Sequence, residues 1–202
     1  VVARLEAVGN SPGATQFMTL LAAFAILLGR QSGQQDILIG TPISGRPRQD
    51  LEGLIGIFVN TLAIRARLEG RARFADLLAQ VRETALGAYA HQYLPFDRLV
   101  QELQPARDLG RTPVFQVLFN MLNLGESPSM KWSSLEAEPM SDPTQMELHA
   151  QFDLTLYARM DSGRLGLTAV YNADLFDNAR IEEMLDQYQS ILAAVSTQPD
   201  LS

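Results

Sequence analysis

Residues 147–171 constrain the fold of this chain more than any other stretch. From Glu147 to Ala158, the residues Leu148, Ala150, Phe152, Leu154, Leu156 and Ala158 fall at every second position. That two-residue repeat is the pattern of a strand with one buried face. Asp161-Ser162-Gly163-Arg164 then reads as a hairpin turn, and Leu165 to Tyr171 as the antiparallel partner strand. An antiparallel hairpin near the C-terminus is therefore the first fixed element.

Helical periodicity elsewhere supplies the layer that covers such a sheet. Ser11-Pro12 reads as a helix start, with Ser at the cap and Pro in the first turn. Phe17, Leu20, Leu21, Phe24, Leu27 and Leu28 then repeat at three- and four-residue steps, with Gly29 as the expected stop. Phe74, Leu77, Leu78, Val81, Ala85 and Tyr89 mark a long amphipathic helix. Pro95 opens a shorter one with Phe96, Leu99, Val100 and Leu103 on one face. Asp177 or Asn178 caps a last helix bearing Ile181, Met184, Leu185, Tyr188, Ile191, Leu192 and Val195.

Three further strands are expected. Asp36 to Thr41 is short, apolar and β-branched. Pro42 to Pro47 is a loop by its Pro and Gly content, and Leu51 to Ile57 a short helical turn. It leads into a strand from about Phe58 to Arg67, in which Asn60 sits among Phe58, Leu62 and Ile64. Val114 to Asn123 is apolar on both faces, with Phe115, Val117, Phe119 and Met121 on one of them. It is therefore predicted to be central, with Gln116 and Asn120 in need of partners. Residues 125–143 hold Gly, Ser, Pro and Met with no period, the mark of a long irregular connection. The fold class is α/β: a mixed sheet flanked by helices, ending in an antiparallel hairpin and a C-terminal helix.

Composition narrows function by exclusion. The net charge of −7 over 202 residues argues against nucleic acid as a partner. The apolar run from Phe17 to Leu28 is too short to cross a bilayer, so no membrane partner is expected. There is no cysteine, hence no disulfide framework or thiolate metal site, which is compatible with the cytoplasm as the expected location. The chain begins at Val1 without a signal peptide pattern, which suggests either a piece of a longer polypeptide or a processed chain.

The residues alone name no reaction. The two histidines, His91 and His149, are far apart in sequence and too few for a zinc site. His91 falls at a helix end, where a capping histidine is the plainer alternative to a general base, and His149 on the polar side of a strand. No nucleophile elbow, Walker A loop or dinucleotide fingerprint occurs.

Four segments in order do resemble a known family. IGTPISGRP over Ile39 to Pro47 is similar to a strand and loop ending in S-G-R. IGIFVNTLAIR over Ile55 to Arg65 resembles the motif I-G-x-F-V-N-T-x-x-x-R. HQYLPFD over His91 to Asp97 resembles H-x-x-x-P-F-[DE]. RDLGRTPVFQVLFN over Arg107 to Asn120 resembles R-D-x-S-R-x-P-L-F-Q-V-x-F, with Gly110 where Ser is usual. These are motifs of the condensation domains of nonribosomal peptide synthetases, and the likeness covers about residues 15–198.

The resemblance implies a chloramphenicol-acetyltransferase-like fold built from two lobes, with a tunnel between them. It implies amide formation between a donor thioester and an acceptor amine, each carried on the phosphopantetheine of a carrier protein, with no cofactor bound directly. The family's H-H-x-x-x-D-G motif is absent, since no His-His pair occurs in the sequence. Residues 1–202 are therefore expected to form the C-terminal lobe alone, without a catalytic residue of their own. Its expected partners are the N-terminal lobe, carrier proteins and a neighbouring adenylation domain.

Ser44, Arg46, Asn60 and Asn120 are the expected tunnel-lining residues. A turn held by Arg46 and satisfied core amides at the two asparagines are the plainer alternatives. Arg65, Pro95, Phe96, Asp108 and Arg111 are expected to be structural, Asp108 and Arg111 as a salt bridge or loop anchor. Residues 125–143 fall where the family sends a crossover, or latch, to the other lobe. Alternative functions are a lobe of an epimerization or heterocyclization domain, or a noncatalytic carrier-binding module.

Overall fold

The computed structural model describes residues 13–46, 48–51, 53–70, 72–105, 110–122, 131, 132, 135, 136, 149–161 and 163–197. Its elements in chain order are α1 (Gln16–Ser32), β1 (Asp36–Ile43), β2 (Asn60–Arg67), α2 (Phe74–Ala90), α3 (Phe96–Leu103), β3 (Val117–Leu122), β4 (Lys131–Trp132), β5 (Leu135–Glu136), β6 (Leu154–Asp161), β7 (Arg164–Tyr171) and α4 (Asn178–Thr197). A 3₁₀ turn, Gln49–Leu51, lies between β1 and β2.

Five strands form one mixed sheet in the order β2-β1-β3-β6-β7. The outer pairs, β1 with β2 and β6 with β7, are antiparallel. The inner pairs, β1 with β3 and β3 with β6, are parallel. The expected mixed α/β sheet, the central strand at 117–122 and the closing hairpin are all found. Asp161 faces Arg164 across the hairpin end, and Gly163 takes the positive φ of 76° that the turn requires.

The two faces of the sheet differ. Ile37, Ile39, Leu62, Ile64, Phe119, Leu154, Leu156 and Ala158 point to one side and are buried under the helices. α1 is the centre of that layer: Leu20 to Ala25 are at most 1% exposed. Burying each Leu or Phe there contributes about 1.5–3 kcal/mol. Phe24 and Phe119 lie 5.8 Å apart, and Phe24 meets the ring of Tyr188 of α4 edge-on at 5.8 Å. The Tyr188 hydroxyl donates to the Leu20 carbonyl at 2.9 Å. Burial pushes its ionisation far above the ordinary tyrosine range.

Residues of the opposite parity, among them Leu38, Gly40, Ala63, Arg65, Leu118, Asn120, Tyr157 and Thr168, face the other side. A small aromatic cluster covers part of it. Phe115 lies 5.2 Å from Phe96 and 5.4 Å from Phe152. Its ring also sits over Gly40, where an added Cβ would fall 2.1 Å from it.

Several boundaries differ from the sequence expectation. α1 begins at Gln16, with Thr15 as its cap: the Thr15 hydroxyl accepts from the Met18 N–H at 3.3 Å. Ser11 and Pro12 lie outside the described residues. Gly29 does not end the helix. It lies against Leu68, whose Cδ1 would be 2.0 Å from a Cβ at this position, and the stop is Gly33 at φ 69°. β1 runs on through Pro42 to Ile43, so the loop begins later than expected. The helical turn expected over 51–57 occurs only at Gln49–Leu51, and β2 starts at Asn60 instead of Phe58.

β3 is shorter than the apolar run because Val114 has φ 73°, a conformation that breaks a strand. The turn is closed by the Phe115 N–H donating to the Pro113 carbonyl at 2.9 Å and by Gln116 Nε2 donating to Thr112 O at 3.0 Å. Phe115 thereby leaves the face that simple alternation predicts it shares with Val117. β6 begins at Leu154, so His149 stands exposed in the preceding coil and not on the polar side of a strand.

Candidate functional site

The motif residues gather at one end of the sheet, where β1 finishes and β2 begins. Ile43 pairs with Asn60 there, and residues 44–59 form the connection. Gly45 has φ 64°, and a Cβ on it would fall 1.7 Å from the Phe58 carbonyl oxygen. Only glycine admits that approach. Arg46 then ties the connection to itself. Its Nη1 donates to the Leu51 carbonyl and its Nη2 to the Gly56 carbonyl at 3.2 Å. Its guanidinium also lies 4.3 Å over the Phe58 ring. Ser44 is exposed at the start of the same loop.

The outer surface of this tied loop is apolar. Ile55 and Ile57 are fully exposed, Val59 is 62% exposed and Leu54 50%. Large apolar side chains exposed together on one loop make it a candidate contact surface.

Asn60 joins the loop to the α2–α3 turn. Its Nδ2 donates to the carbonyls of Gln92 at 2.9 Å and Leu94 at 2.8 Å. Its Oδ1 accepts from the Phe96 N–H at 3.1 Å. The second and third motif segments are thus one structure. His91 ends α2, as expected, and is exposed beside this turn. Pro95 is the cap residue of α3, and Phe96 anchors that helix in the aromatic cluster.

Asn120 is half-buried in β3, opposite Tyr157, on the side away from α1. Arg65 forms a two-point ion pair with Asp36 across β1 and β2, with Nε–Oδ1 at 2.8 Å. That pair holds the Asp36 carboxyl below the ordinary aspartate range, chiefly through the Arg65 hydrogen bond. Arg111 is exposed; Asp108, its expected partner, lies outside the described residues, as does most of the 125–143 connection. The part of that connection that is described is the short antiparallel pair β4 and β5.

The structure therefore brings Ser44, Arg46, Asn60, Pro95 and Phe96 together and leaves Arg65 at the far end of β2. The exposed apolar ledge of Ile55, Ile57, Val59 and Tyr93 is not among the expected site residues. Its signal was there, in large apolar residues flanking the glycines at 53 and 56. A groove of about 720 Å³ lies among the helices and is lined by Ile26, Leu68, Phe74 and Val195, among others. It opens at the other end of β1 and β2, about 20 Å along the strands from the motif loop. Among the described residues, no three His, Asp or Glu side chains converge as metal ligands, and no helix is long and apolar enough to cross a membrane.

Comparison with known proteins gives a consistent picture. The condensation-domain family model matches residues 1–202. The chain is 48% identical over 198 residues to a component of the linear gramicidin synthase of Brevibacillus parabrevis, covering 98% of this chain and 2% of that protein. It is 39% identical over 196 residues to a component of the plipastatin synthase of Bacillus subtilis (strain 168), covering 96% of this chain and 8% of that protein. A four-domain nonribosomal peptide synthetase bound to AMP and glycine superposes with a TM-score of 0.87 at 27% identity, over 98% of this chain and 16% of that one. The X-domain from teicoplanin biosynthesis superposes with a TM-score of 0.79 at 27% identity, over 99% of this chain and 46% of that one. The chain thus spans a small part of the synthetases and under half of the solved X-domain. With the ordered motifs, the mixed sheet and a family match along its whole length, this chain belongs to the condensation-domain family of nonribosomal peptide synthetases.

Proposed function

We propose that this chain is the C-terminal lobe of an amide-forming condensation domain. It supplies one wall of the substrate tunnel, while the other lobe brings the catalytic histidine. In that reaction the acceptor amine nitrogen attacks the donor thioester carbonyl carbon. The carbon–sulfur bond breaks, the amide bond forms, and the proton lost by the amine leaves with the thiol of the donor arm. Donor and acceptor arrive on the phosphopantetheine of separate carrier proteins, which are substrates and not resident cofactors.

The observation that carries this reading is the tied loop 44–59, which presents Ile55, Ile57 and Val59 to solvent beside the turn that bears Tyr93. A lobe that works against a second lobe needs such a surface. Ser44, Arg46, Asn60 and Asn120 lie along the wall in this reading. Ser44 and Asn120 offer hydrogen-bonding groups toward the tunnel, and Arg46 and Asn60 give the wall its shape. The 125–143 connection crosses to the other lobe, and an adenylation domain neighbours this one in the synthetase.

The test compares this chain alone with an intact condensation domain that contains it. Both receive carrier proteins loaded with aminoacyl groups, and dipeptide is measured. The intact domain is expected to form the amide and the chain alone none. Dipeptide from the chain alone would overturn the division of labour. Carrier binding with no dipeptide from either would favour a noncatalytic module.

A further inference from the structure

We propose that Asn60 is a positioning residue, which sets the spacing between two apolar segments so that they act as one contact surface. The proposal rests on the two-lobe reading above and adds to it a residue that works without touching substrate.

An asparagine carboxamide has two N–H donors and an acceptor oxygen. Asn60 directs all of these at a single turn, 32 to 36 residues away in sequence: to Gln92 O, Leu94 O and the Phe96 N–H. One hydrogen bond would fix a distance. Three that converge from one planar group fix orientation as well.

The bond to Phe96 also completes a helix end. Phe96 is the first residue of α3, and its cap residue, Pro95, makes no side-chain capping bond. The first N–H groups of a helix lack partners within it. Asn60 satisfies the first of these from a different strand, so α3 starts where Asn60 holds it.

The flanking residues supply the purpose. Val59, next to Asn60, is 62% exposed, and Ile57 and Ile55 are fully so. Tyr93, between the two carbonyls that Asn60 grips, is 72% exposed, and Leu94 is 43% exposed. Packing cannot hold these side chains in place, because they have no core to pack on. Their relative placement depends on Arg46 within the loop and on Asn60 between loop and turn. A rigid two-part ledge of this kind matches a single partner surface, here the other lobe of the domain, whose histidine must be brought to the reacting atoms.

The experiment uses an intact condensation domain containing this chain. Asn60→Asp keeps the acceptor but sets a carboxylate against two carbonyls. It is expected to lower kcat about tenfold with little change in KM, the pattern of misplaced groups and not of weakened binding. Ile57→Ala and Tyr93→Ala are expected to be non-additive in the wild-type background, because they damage one surface. In the Asn60→Asp background the same pair is expected to become additive.

A purely structural Asn60 would lower the melting temperature and leave both kcat per folded molecule and the Ile57–Tyr93 coupling unchanged. That outcome overturns the proposal. If Asn60→Asp does not fold, additivity of Ile57→Ala and Tyr93→Ala in the wild-type background overturns it equally. An intact wild-type domain that makes no amide would count against the functional reading instead. The positioning claim is then decided by hydrogen exchange. Asn60→Asp is expected to raise exchange together in residues 53–59 and 91–96, and a rise in only one segment overturns it.

Discussion

Gly40 of β1 and Phe115, just ahead of β3, occupy almost the same space: a Cβ on residue 40 would stand 2.1 Å from the aromatic ring. Gly40→Ala is therefore an overpacking substitution, with an expected cost of about 1–3 kcal/mol. The clash is with a side chain, so a smaller ring partner relieves it. In a Phe115→Leu background the Gly40→Ala penalty is expected to shrink clearly, as measured by urea denaturation of the four proteins of the cycle. An unchanged penalty would show that the strain lies in the backbone.

Much of this arrangement could be read from the chain and some could not. Periodicity located α1, α2 and α4 and both strands of the β6–β7 hairpin, because buried faces leave a repeat. It placed Phe115 on the wrong side, because no local signal announces a valine at positive φ. It stopped α1 at Gly29, because a glycine chosen for contact with Leu68 looks the same in sequence as one that ends a helix. Asn60 stood out as polar among apolar residues, but its partners are over thirty residues away, and no sequence spacing could reveal them.

Arg46 cannot be replaced by lysine without loss. A single ammonium cannot bridge the carbonyls of Leu51 and Gly56 while lying flat on the Phe58 ring. Arg46→Lys is expected to speed amide exchange over residues 49–58 while leaving the sheet protected. The loop is peripheral to the core, so the change in global stability should stay within about 0.5–1.5 kcal/mol. Exchange that rises equally across β1 and β3 would contradict this.

Tyr188→Phe removes the buried bond to the Leu20 carbonyl and is expected to cost about 0.5–1.5 kcal/mol. Its pH signature is distinctive. The folded protein holds the phenol neutral, whereas the unfolded chain releases its proton near pH 10. The folded value is raised, so this stabilising contribution is complete below pH 10 and is lost as pH rises above it. The wild type should therefore lose stability in alkali more steeply than Tyr188→Phe, a difference that denaturation at a series of pH values will reveal.

Asp36 and Arg65 give the opposite sign. The folded carboxylate value is depressed, so the contribution is present above the ordinary aspartate range and disappears as pH falls through the folded value. Asp36→Asn should melt below the wild type at neutral pH and converge with it in acid. Both side chains are about half exposed, so salt should narrow the gap at neutral pH as well.

The strand order carries a consequence for how the chain assembles. Each outer ribbon, 36–67 and 154–171, closes within a short stretch of sequence, whereas Gly40 must find Leu118 across 78 positions. The ribbons can form early and separately, but neither half of the sheet joins the other until β3 is inserted between them. β3 is thus the keystone, and a substitution there, such as Phe119→Leu, should slow folding more than an equally destabilising one in β7. Stopped-flow refolding of the two variants would show which strand governs the rate.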